Sequence, residues 1–361
     1  MNGRKKWKFG VPLLILEFLV LVTAVGILYV ITTTTNEIER TDIDEDNIII
    51  NEEVAETKTK NKEEGKKEEA VEAKKGYRNI ALFGVDARDN ELGRGTRSDT
   101  IIIASINQDT HEVKLVSVYR DTYLNLGNDS YNKCNGAYAK GGPEQAITML
   151  NINLDLDITD YVTVGFSGLI DAIDCLGGID MEITESEINH LNNYQLCMAE
   201  EMGVDYTPVT KPGLQTLNGM QATAYCRIRY TKGDDFRRAE RQRDVLGAMM
   251  LKAKDAPLTT LRDVVTAVLP NVNTSLNVNE VISVLGTLAE YNVVASEGFP
   301  FESERTNATI GSKGDCIIPM TLEENVVMLH ELLFEEKNYT PSRQVNIMSG
   351  EITQQTEEYI P

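Results

Sequence analysis

A short segment, residues 227–243, gathers positive charge in an otherwise acidic protein. It reads RIRYTKGDDFRRAERQR and holds six arginines and one lysine, whereas the whole chain of 361 residues has a formal net charge of -21. If CRIRY is extended, Arg227 and Arg229 point to one face, because alternate residues of a strand share a face. Two neighbouring guanidinium groups can bind a polyanion in a bidentate manner, and a pyrophosphate fits that arrangement. The segment therefore predicts a local anion site.

The second half of this segment continues the positive charge on a predicted helix, roughly residues 235–253. In such a helix Arg238, Arg241 and Gln242 share one face through their i, i+3 and i+4 spacing. Arg237 and Glu240 on the opposing side are typical of a solvent-facing ion pair. A lone arginine is usually solvated, so the prediction of a site depends on arginines gathering at several strand and helix ends.

Charged residues also lie between two apolar strands near the start of the folded part. Asp86 directly follows the strand YRNIALFGV, and Asp99 directly precedes the strand that begins TIIIASINQ. Two carboxylates at one sheet edge offer the hard oxygen ligands that Mg²⁺ prefers, with water and substrate phosphate completing its shell. The loop between them carries arginines that suit phosphate oxygens: Arg88, Arg94 and Arg97. The alternative interpretation is a solvated turn held by surface ion pairs.

A third charged pair, Arg120 and Asp121, ends the strand LVSVY. The chain has three histidines, and all lie outside the charged segments described above: His111, His190 and His330. For a general base that deprotonates an acceptor hydroxyl, a carboxylate is therefore a better candidate than histidine. Asp99 and Asp121 are the two candidates, with Asp99 preferred.

The charged groups stand at the ends of elements that predict an α/β fold. Strand patterns cover residues 77–85, 101–108 and 112–124, and Pro143 opens a helix after them. Residues 161–183 then predict strand, helix, Gly-Gly turn and strand. Alternating units of this kind favour a mixed central sheet flanked by helices. Sites on such folds are built in the loops at strand ends, where these charges lie.

The N-terminal residues predict a membrane anchor. Residues 11–32 are apolar except for Glu17 and threonines, and they are long enough to cross a bilayer core of about 30 Å. The basic residues before them predict a cytoplasmic N-terminus (1–10) with the rest of the chain outside: Arg4, Lys5, Lys6 and Lys8. The alternatives are a cleaved signal peptide and a buried helix, and neither fits the length and the missing cleavage signal as well. Residues 33–76 predict a disordered charged tether.

Composition excludes several classes of function. The acidic balance argues against nucleic acid as a partner, and no helix-turn-helix pattern occurs. The cysteines show no CxxC spacing, which argues against a zinc or redox motif. Unpaired thiols are expected, with a Cys197–Cys226 bridge as the alternative; the five cysteines are Cys134, Cys175, Cys197, Cys226 and Cys316.

Seven segments, in this order, resemble the motif series of the LytR-CpsA-Psr family of cell-envelope proteins: GVDAR, RSDT, SVYRD, NGAYAKGG, GFSGLIDAIDCLGGI, LNGMQATAYCRIRY and DDFRRAERQR. The resemblance covers residues 79–243. It implies an extracytoplasmic phosphotransferase that moves a glycopolymer from an undecaprenyl-pyrophosphate carrier to peptidoglycan, at the 6-hydroxyl of N-acetylmuramic acid. It also implies a single-pass protein of the cell membrane, with a catalytic core at 77–254, a helical C-terminal part at 255–340 and a flexible tail at 341–361.

The resemblance assigns roles to the charged residues. Asp86 and Asp99 correspond to the family's Mg²⁺ ligands. The pyrophosphate-binding positions correspond to Arg97, Arg120, Arg227 and Arg229, with three further candidates, Arg238, Arg241 and Gln242. The family houses a polyprenyl tail in a long apolar pocket between sheet and helices, and FSGLIDAIDCL and IIIASI are candidates for its walls.

Two other functions compete with the transferase. One is an envelope-lipid-binding regulator or scaffold without catalysis, which would not need Asp86 or Asp99. The other is a metal-dependent lipid pyrophosphatase that uses the same site with water as the acceptor.

Overall fold

A computed structural model of the chain describes residues 47–56, 76–85, 92–229, 234–276 and 288–360. All of them fall within one compact unit, Arg40–Pro361. The predicted anchor at residues 11–32 lies outside the described residues, as do Asp86 and Arg88. Within the described ranges, no helix combines the length and apolar character needed to cross a bilayer.

Five strands precede the helix at Gly136–Leu154, and strands and helices then follow in mixed order. The longer early strands are rich in β-branched residues, which pack well on a pleated surface. In chain order the strands are β1 (Tyr77–Val85), β2 (Ser98–Asn107), β3 (Glu112–Val118), β4 (Tyr123–Asn125), β5 (Tyr131–Lys133), β6 (Asp160–Val164), β7 (Ile179–Ile183), β8 (Gly213–Leu217), β9 (Val272–Thr274), β10 (Asn292–Phe299), β11 (Arg305–Thr309) and β12 (Asp315–Pro319).

Local sequence signals set the ends of several helices. Thr184 and Glu187 form a capping box at the start of one helix, and Asn218 and Gln221 form another, each satisfying backbone N–H groups that the first turn leaves free. In chain order the helices are α1 (Gly136–Leu154), α2 (Phe166–Cys175), α3 (Glu185–Met202), α4 (Gly219–Cys226), α5 (Asp234–Lys254), α6 (Leu258–Val268), α7 (Leu322–Phe334) and α8 (Arg343–Thr356).

Six strands form a mixed central sheet in the order β10-β3-β2-β1-β6-β9. β2 is antiparallel to β1 and β3, whereas the pairs β1–β6 and β3–β10 are parallel. Alternate residues of β2 enter different cores, because successive side chains point to opposite faces. Ile101 and Ile103 pack with α1, α7 and α8, whereas Ile102 and Ala104 pack under α5. The predicted mixed sheet flanked by helices is confirmed.

The C-terminal region differs from its predicted character. The segment predicted to be a helical part, 255–340, also supplies β10, which extends the central sheet beside β3. The predicted flexible tail, 341–361, instead contains α8. Val345, Met348 and Ile352 of α8 are buried in the main core, at a spacing that places them on one helix face.

Part of the predicted tether is also folded. Residues 47–56 lie against the domain, with Ile48 and Val54 buried. The Asn51 amide donates to Ile152 O at 3.0 Å and to Ser342 Oγ at 3.2 Å. This polar node joins the N-terminal segment to both α1 and the start of α8, so the segment 47–56 belongs to the folded domain.

Candidate functional site

Asp99 lies at an irregularity in the central sheet. Val85 pairs with Ser98 and Gly84 pairs with Thr100, so Asp99 is the extra residue of a β-bulge on β2. A bulge breaks the normal alternation and turns a side chain to a new face. Consequently two consecutive residues, Asp99 and Thr100, both line the same cavity.

Arg120 links this bulge to the end of β3. Its Nη1 donates to Asp99 Oδ1 at 2.8 Å and its Nε donates to Asp121 Oδ2 at 3.2 Å. The other oxygen of Asp121 is paired with Lys133 Nζ at 2.9 Å. Burial alone would lower the pKa of Arg120, but the two carboxylates, Asp99 first, raise it above its ordinary value. The four side chains form one ionic chain.

Arg227 and Arg229 do not lie on the strand that the sequence predicts. ATAYC lies in α4, which the Asn218 cap starts, and Arg227 ends that helix in the right-handed helical region. The prediction of an extended CRIRY with both arginines on one strand face is therefore wrong. Both arginines nevertheless line one cavity together with Asp99.

The face of α5 divides between two environments. Arg238 and Gln242 line the cavity, as the predicted helix face requires. Arg241 is not among the lining residues: its side chain is 2% exposed, and its Nε and Nη2 each lie 2.9 Å from Glu187 Oε1. Its Nη1 donates to Ile228 O at 3.2 Å. Arg241 thus fastens α5 to α3 and to the segment after α4.

Asp235 holds two of the cavity arginines. Its Oδ2 lies 3.2 Å from Arg229 Nη2 and its Oδ1 lies 3.0 Å from Arg238 Nη1. Burial, and next the positive charge of Arg120, lower the pKa of Arg238. Asp235 counteracts this lowering of the pKa, because an opposite charge favours the ionised guanidinium. From DDFRRAERQR the sequence predicts arginines and Gln242 as site residues, but it does not identify Asp235 as a partner of the arginines.

Arg227 is held differently from Arg229 and Arg238. Its Cζ lies 4.6 Å from the centroid of the Phe166 ring and 5.5 Å from that of Tyr194. Its Nη1 is buried and makes no hydrogen bond. Phe166 and Tyr194 also line the cavity.

The cavity lies between the central sheet and helices α2 to α5, and it has a volume of about 420 Å³. Apart from the charged residues already described, its wall is largely apolar, with contributions from both segments that the sequence proposed for it. Its apolar lining includes Leu82, Ile102, Val162, Phe166, Leu169 and Met249. Cys226 also lines it, and burial raises the pKa of that thiol to about 12, so it is not poised as a nucleophile.

The remaining predicted residues are placed as follows. Arg97 is exposed and is not among the cavity-lining residues. Asp121 lies behind Arg120, in a small pocket shared with Asp99 and Asp235. All five cysteines are free, so the unpaired thiols are confirmed and the alternative Cys197–Cys226 bridge is wrong.

The carboxylates around the cavity are the candidate ligands for Mg²⁺. In the described part of the chain, no group of three or more His, Cys, Asp or Glu side chains could hold a metal. Among the described residues that line the cavity, Asp99 is the one carboxylate, and its side chain is 40% exposed. A single accessible carboxylate beside arginines fits an ion that takes one or two protein carboxylates and completes its shell with water and phosphate.

Comparisons with known proteins agree with the motifs and the fold. The LytR_cpsA_psr family model matches residues 47–315. A polyisoprenyl-teichoic acid–peptidoglycan teichoic acid transferase, TagU of Enterococcus faecalis, is 31% identical over 204 residues, which cover 56% of this chain and 62% of TagU. Biofilm regulatory protein A of Streptococcus mutans is 31% identical over 212 residues, covering 55% of this chain and 50% of that protein.

The fold comparison points the same way. TagT of Bacillus subtilis, in a structure with bound octaprenyl pyrophosphate lipid, matches with a TM-score of 0.53 and 20% identity, covering 72% of this chain and 92% of TagT. The sequence matches to the two curated relatives span about half to three fifths of their lengths. The family model, by contrast, extends over most of the present chain. The protein belongs to the LytR-CpsA-Psr family.

Proposed function

We propose that this protein transfers a glycopolymer from a polyprenyl-pyrophosphate carrier to the 6-hydroxyl of N-acetylmuramic acid in peptidoglycan. The proposed polyprenyl group is undecaprenyl. The observation that carries the proposal is one cavity whose wall is apolar and whose charged residues are Arg227, Arg229, Arg238 and Asp99. A lipid pyrophosphate has the same two-part chemistry. The names of TagU and of the lipid-bound TagT structure support this substrate class.

The apolar wall suits a hydrocarbon tail. Ligand pockets of about 300–1,000 Å³ typically bury most of a drug-sized ligand, and this cavity has about 420 Å³. Each methylene that leaves water contributes about 0.8 kcal/mol. The first isoprene units of a carrier would therefore supply much of the affinity, leaving the polar end to set orientation.

The arginines suit the pyrophosphate. A guanidinium presents a planar fork of N–H donors that matches phosphate oxygens. Arg229 and Arg238 are already oriented by Asp235, which reduces the ordering cost of binding. Arg120, fixed between Asp99 and Asp121, is a further cation close to this group. Arg88 and Arg97 remain proposed contacts from the preceding loop.

Mg²⁺ is part of the proposal, with Asp99 and Asp86 as its protein ligands. Bound there, it would offset the charge that two carboxylates and a pyrophosphate otherwise place together. The arginines hold the transferring phosphoryl group, and positioning and charge stabilisation supply most of the catalysis in such reactions.

Deprotonation of the acceptor hydroxyl is assigned to a carboxylate. None of the three histidines lines the cavity. Both oxygens of Asp121 are occupied, by Arg120 and by Lys133. The less buried Asp99 is therefore the preferred base.

The same proposal places the protein in the cell membrane. Residues 1–10 are cytoplasmic, residues 11–32 cross the bilayer, and the folded domain is extracytoplasmic, where the peptidoglycan lies. In a Cys197→Ser background, which removes the exposed native thiol, a cysteine in place of Ile49, which is 56% exposed, should react with an impermeant maleimide on intact cells. Labelling only after lysis would contradict this topology.

The activity is tested with the full-length protein in detergent, a lipid-linked glycopolymer and peptidoglycan fragments. The expected product is a polymer–peptidoglycan phosphodiester, detected by mass, whose yield rises with the acceptor concentration. Release of sugar phosphate alone at every acceptor concentration would favour the pyrophosphatase. Lipid binding without turnover of any kind would favour the regulator, the role that the name of the Streptococcus mutans relative suggests.

A further inference from the structure

The arginines around the cavity differ in how their charge is balanced. Arg229 and Arg238 share the carboxylate of Asp235, and Arg120 is paired with Asp99 and Asp121. Among the described residues, no carboxylate pairs with Arg227. Its partners are the rings of Phe166 and Tyr194 instead.

Aromatic partners leave a guanidinium in a different chemical state from carboxylate partners. A carboxylate occupies the N–H donors at the edge of the guanidinium plane and neutralises the charge. An aromatic ring attracts the cation through the negative face of the ring, so the in-plane donors stay available. Arg227 Nη1 is buried and makes no hydrogen bond, and the same holds for Nε of Arg229 and of Arg238. Those two arginines are paired with Asp235 through another nitrogen, whereas no carboxylate of the described residues pairs with Arg227. A buried donor without a partner is costly, and an anion oxygen would satisfy it.

We propose that Phe166 and Tyr194 are positioning residues that hold Arg227 in the cavity as an uncompensated cation for the pyrophosphate of the carrier. This inference rests on the proposed function and deepens it. The two rings fix the guanidinium, and the pyrophosphate is the first group to accept from its free donors. Arg229 and Arg238 share one carboxylate, that of Asp235, whereas Arg227 brings a full positive charge that is balanced only by the two rings.

Three elements build this clamp. Phe166 is the first residue of α2, directly after the Gly165 cap; Tyr194 lies in α3; and Arg227 ends α4. Arg227 is fixed at its backbone, since its N–H donates to Ala224 O at 3.1 Å. A rigid backbone and two rings leave the long side chain little rotational freedom, so little entropy is lost when an anion binds.

The test measures binding of geranylgeranyl pyrophosphate and of the corresponding alcohol, geranylgeraniol, to the full-length protein in detergent. Phe166→Leu and Tyr194→Leu should weaken pyrophosphate binding roughly 2- to 30-fold, the range of a partly desolvated cation–π contact. Alcohol binding reports the apolar wall, to which both rings also contribute, so this roughly 2- to 30-fold loss is the amount by which pyrophosphate binding should fall beyond alcohol binding. Tyr194→Phe keeps the ring and should bind the pyrophosphate like the parent.

A double-mutant cycle separates positioning from general damage to the fold. In an Arg227→Met background, Phe166→Leu should weaken pyrophosphate binding no more than it weakens alcohol binding, whereas in an Arg229→Met background the additional loss for the pyrophosphate should persist in full. Equal losses in the parent and Arg227→Met backgrounds would overturn the clamp. A parent protein that binds neither probe would overturn the lipid part of the proposed function itself, and the clamp with it.

Discussion

Arg120 donates from Nη1 to Oδ1 of Asp99 across 2.8 Å, and this contact joins the bulge on β2 to the end of β3. The same guanidinium donates from Nε to Asp121. One planar side chain therefore positions two carboxylates, which are the two candidates for the general base. The guanidinium fork of Arg120 therefore fixes the position of each carboxylate relative to the other.

Replacing Arg120 with Lys should separate fork geometry from charge. Lysine keeps the positive charge but cannot bond two carboxylates from fixed positions. We expect transfer to fall by at least about tenfold, the consequence of misplacing a catalytic group, with the melting temperature little changed. Arg237→Lys, at a position paired with the exposed Glu240, is the matched control and should keep full activity. Full activity of Arg120→Lys would show that charge alone suffices.

Asp235→Asn tests the orientation of the paired arginines. The amide keeps one acceptor but turns an NH₂ group towards a guanidinium, so Arg229 and Arg238 lose their shared anchor. We expect the Kd for a prenyl pyrophosphate to rise by roughly tenfold, since a hydrogen bond to a charged group contributes about 1.5–3 kcal/mol. Asp244→Asn, on the more exposed part of the same helix, should bind normally. Tighter binding by Asp235→Asn would mean that its carboxylate opposes the anion rather than orienting the arginines.

The ion pair between Arg241 and Glu187 is a stability element. Their side chains are 2% and 3% exposed, and breaking a buried pair from one side typically costs about 3–5 kcal/mol. Arg241→Met should lower the free energy of unfolding by that order, measured by urea denaturation. The control Arg237→Met removes a more exposed pair with Glu240 from the same helix and should cost about 1 kcal/mol or less. Similar costs for both variants would contradict the structural role of Arg241.

Helix α8 should contribute to stability even though it lies at the end of the chain. Ile352 is fully buried in the main core, and Ile→Ala substitutions in cores typically cost about 2–5 kcal/mol. Ile347 lies on the same helix with 49% exposure, so Ile347→Ala should change the unfolding free energy by about 0.5 kcal/mol or less. Equally small changes in unfolding free energy for both variants would mean that residues 341–361 form a flexible tail, as the sequence predicts.

The sequence predicted those parts of the fold that depend on short-range patterns. The strand–helix–turn–strand unit at 161–183 and the long helix α5 occur close to their predicted bounds. The helix α4 was missed although Asn218 and Gln221 have the spacing of a capping box. Val345, Met348 and Ile352 likewise have helical apolar spacing. The sequence does not predict a helix there, because the segment is short and its other residues are mostly polar.

Other features could not be predicted because they depend on distant pairing. The bulge at Asp99 exists only through the register between β1 and β2. Arg241 shares its helix face with Arg238, yet its partner Glu187 is 54 residues away in sequence, so spacing alone grouped it with the cavity arginines. The rings beside Arg227 come from two further helices. Residue types predict an anion site, and tertiary contacts decide which arginines line the cavity.

The most direct test of the central claim follows the phosphorus. A lipid-linked glycopolymer labelled with ³²P in the sugar-linked phosphate is incubated with the full-length protein and peptidoglycan, and the label is traced after digestion of the peptidoglycan. The account predicts label in a muramic acid phosphodiester. It also predicts loss of that label in Asp99→Asn and its retention in Asp244→Asn, whose side chain does not line the cavity. Label recovered only as soluble sugar phosphate or orthophosphate, with acceptor in excess, would contradict the transferase.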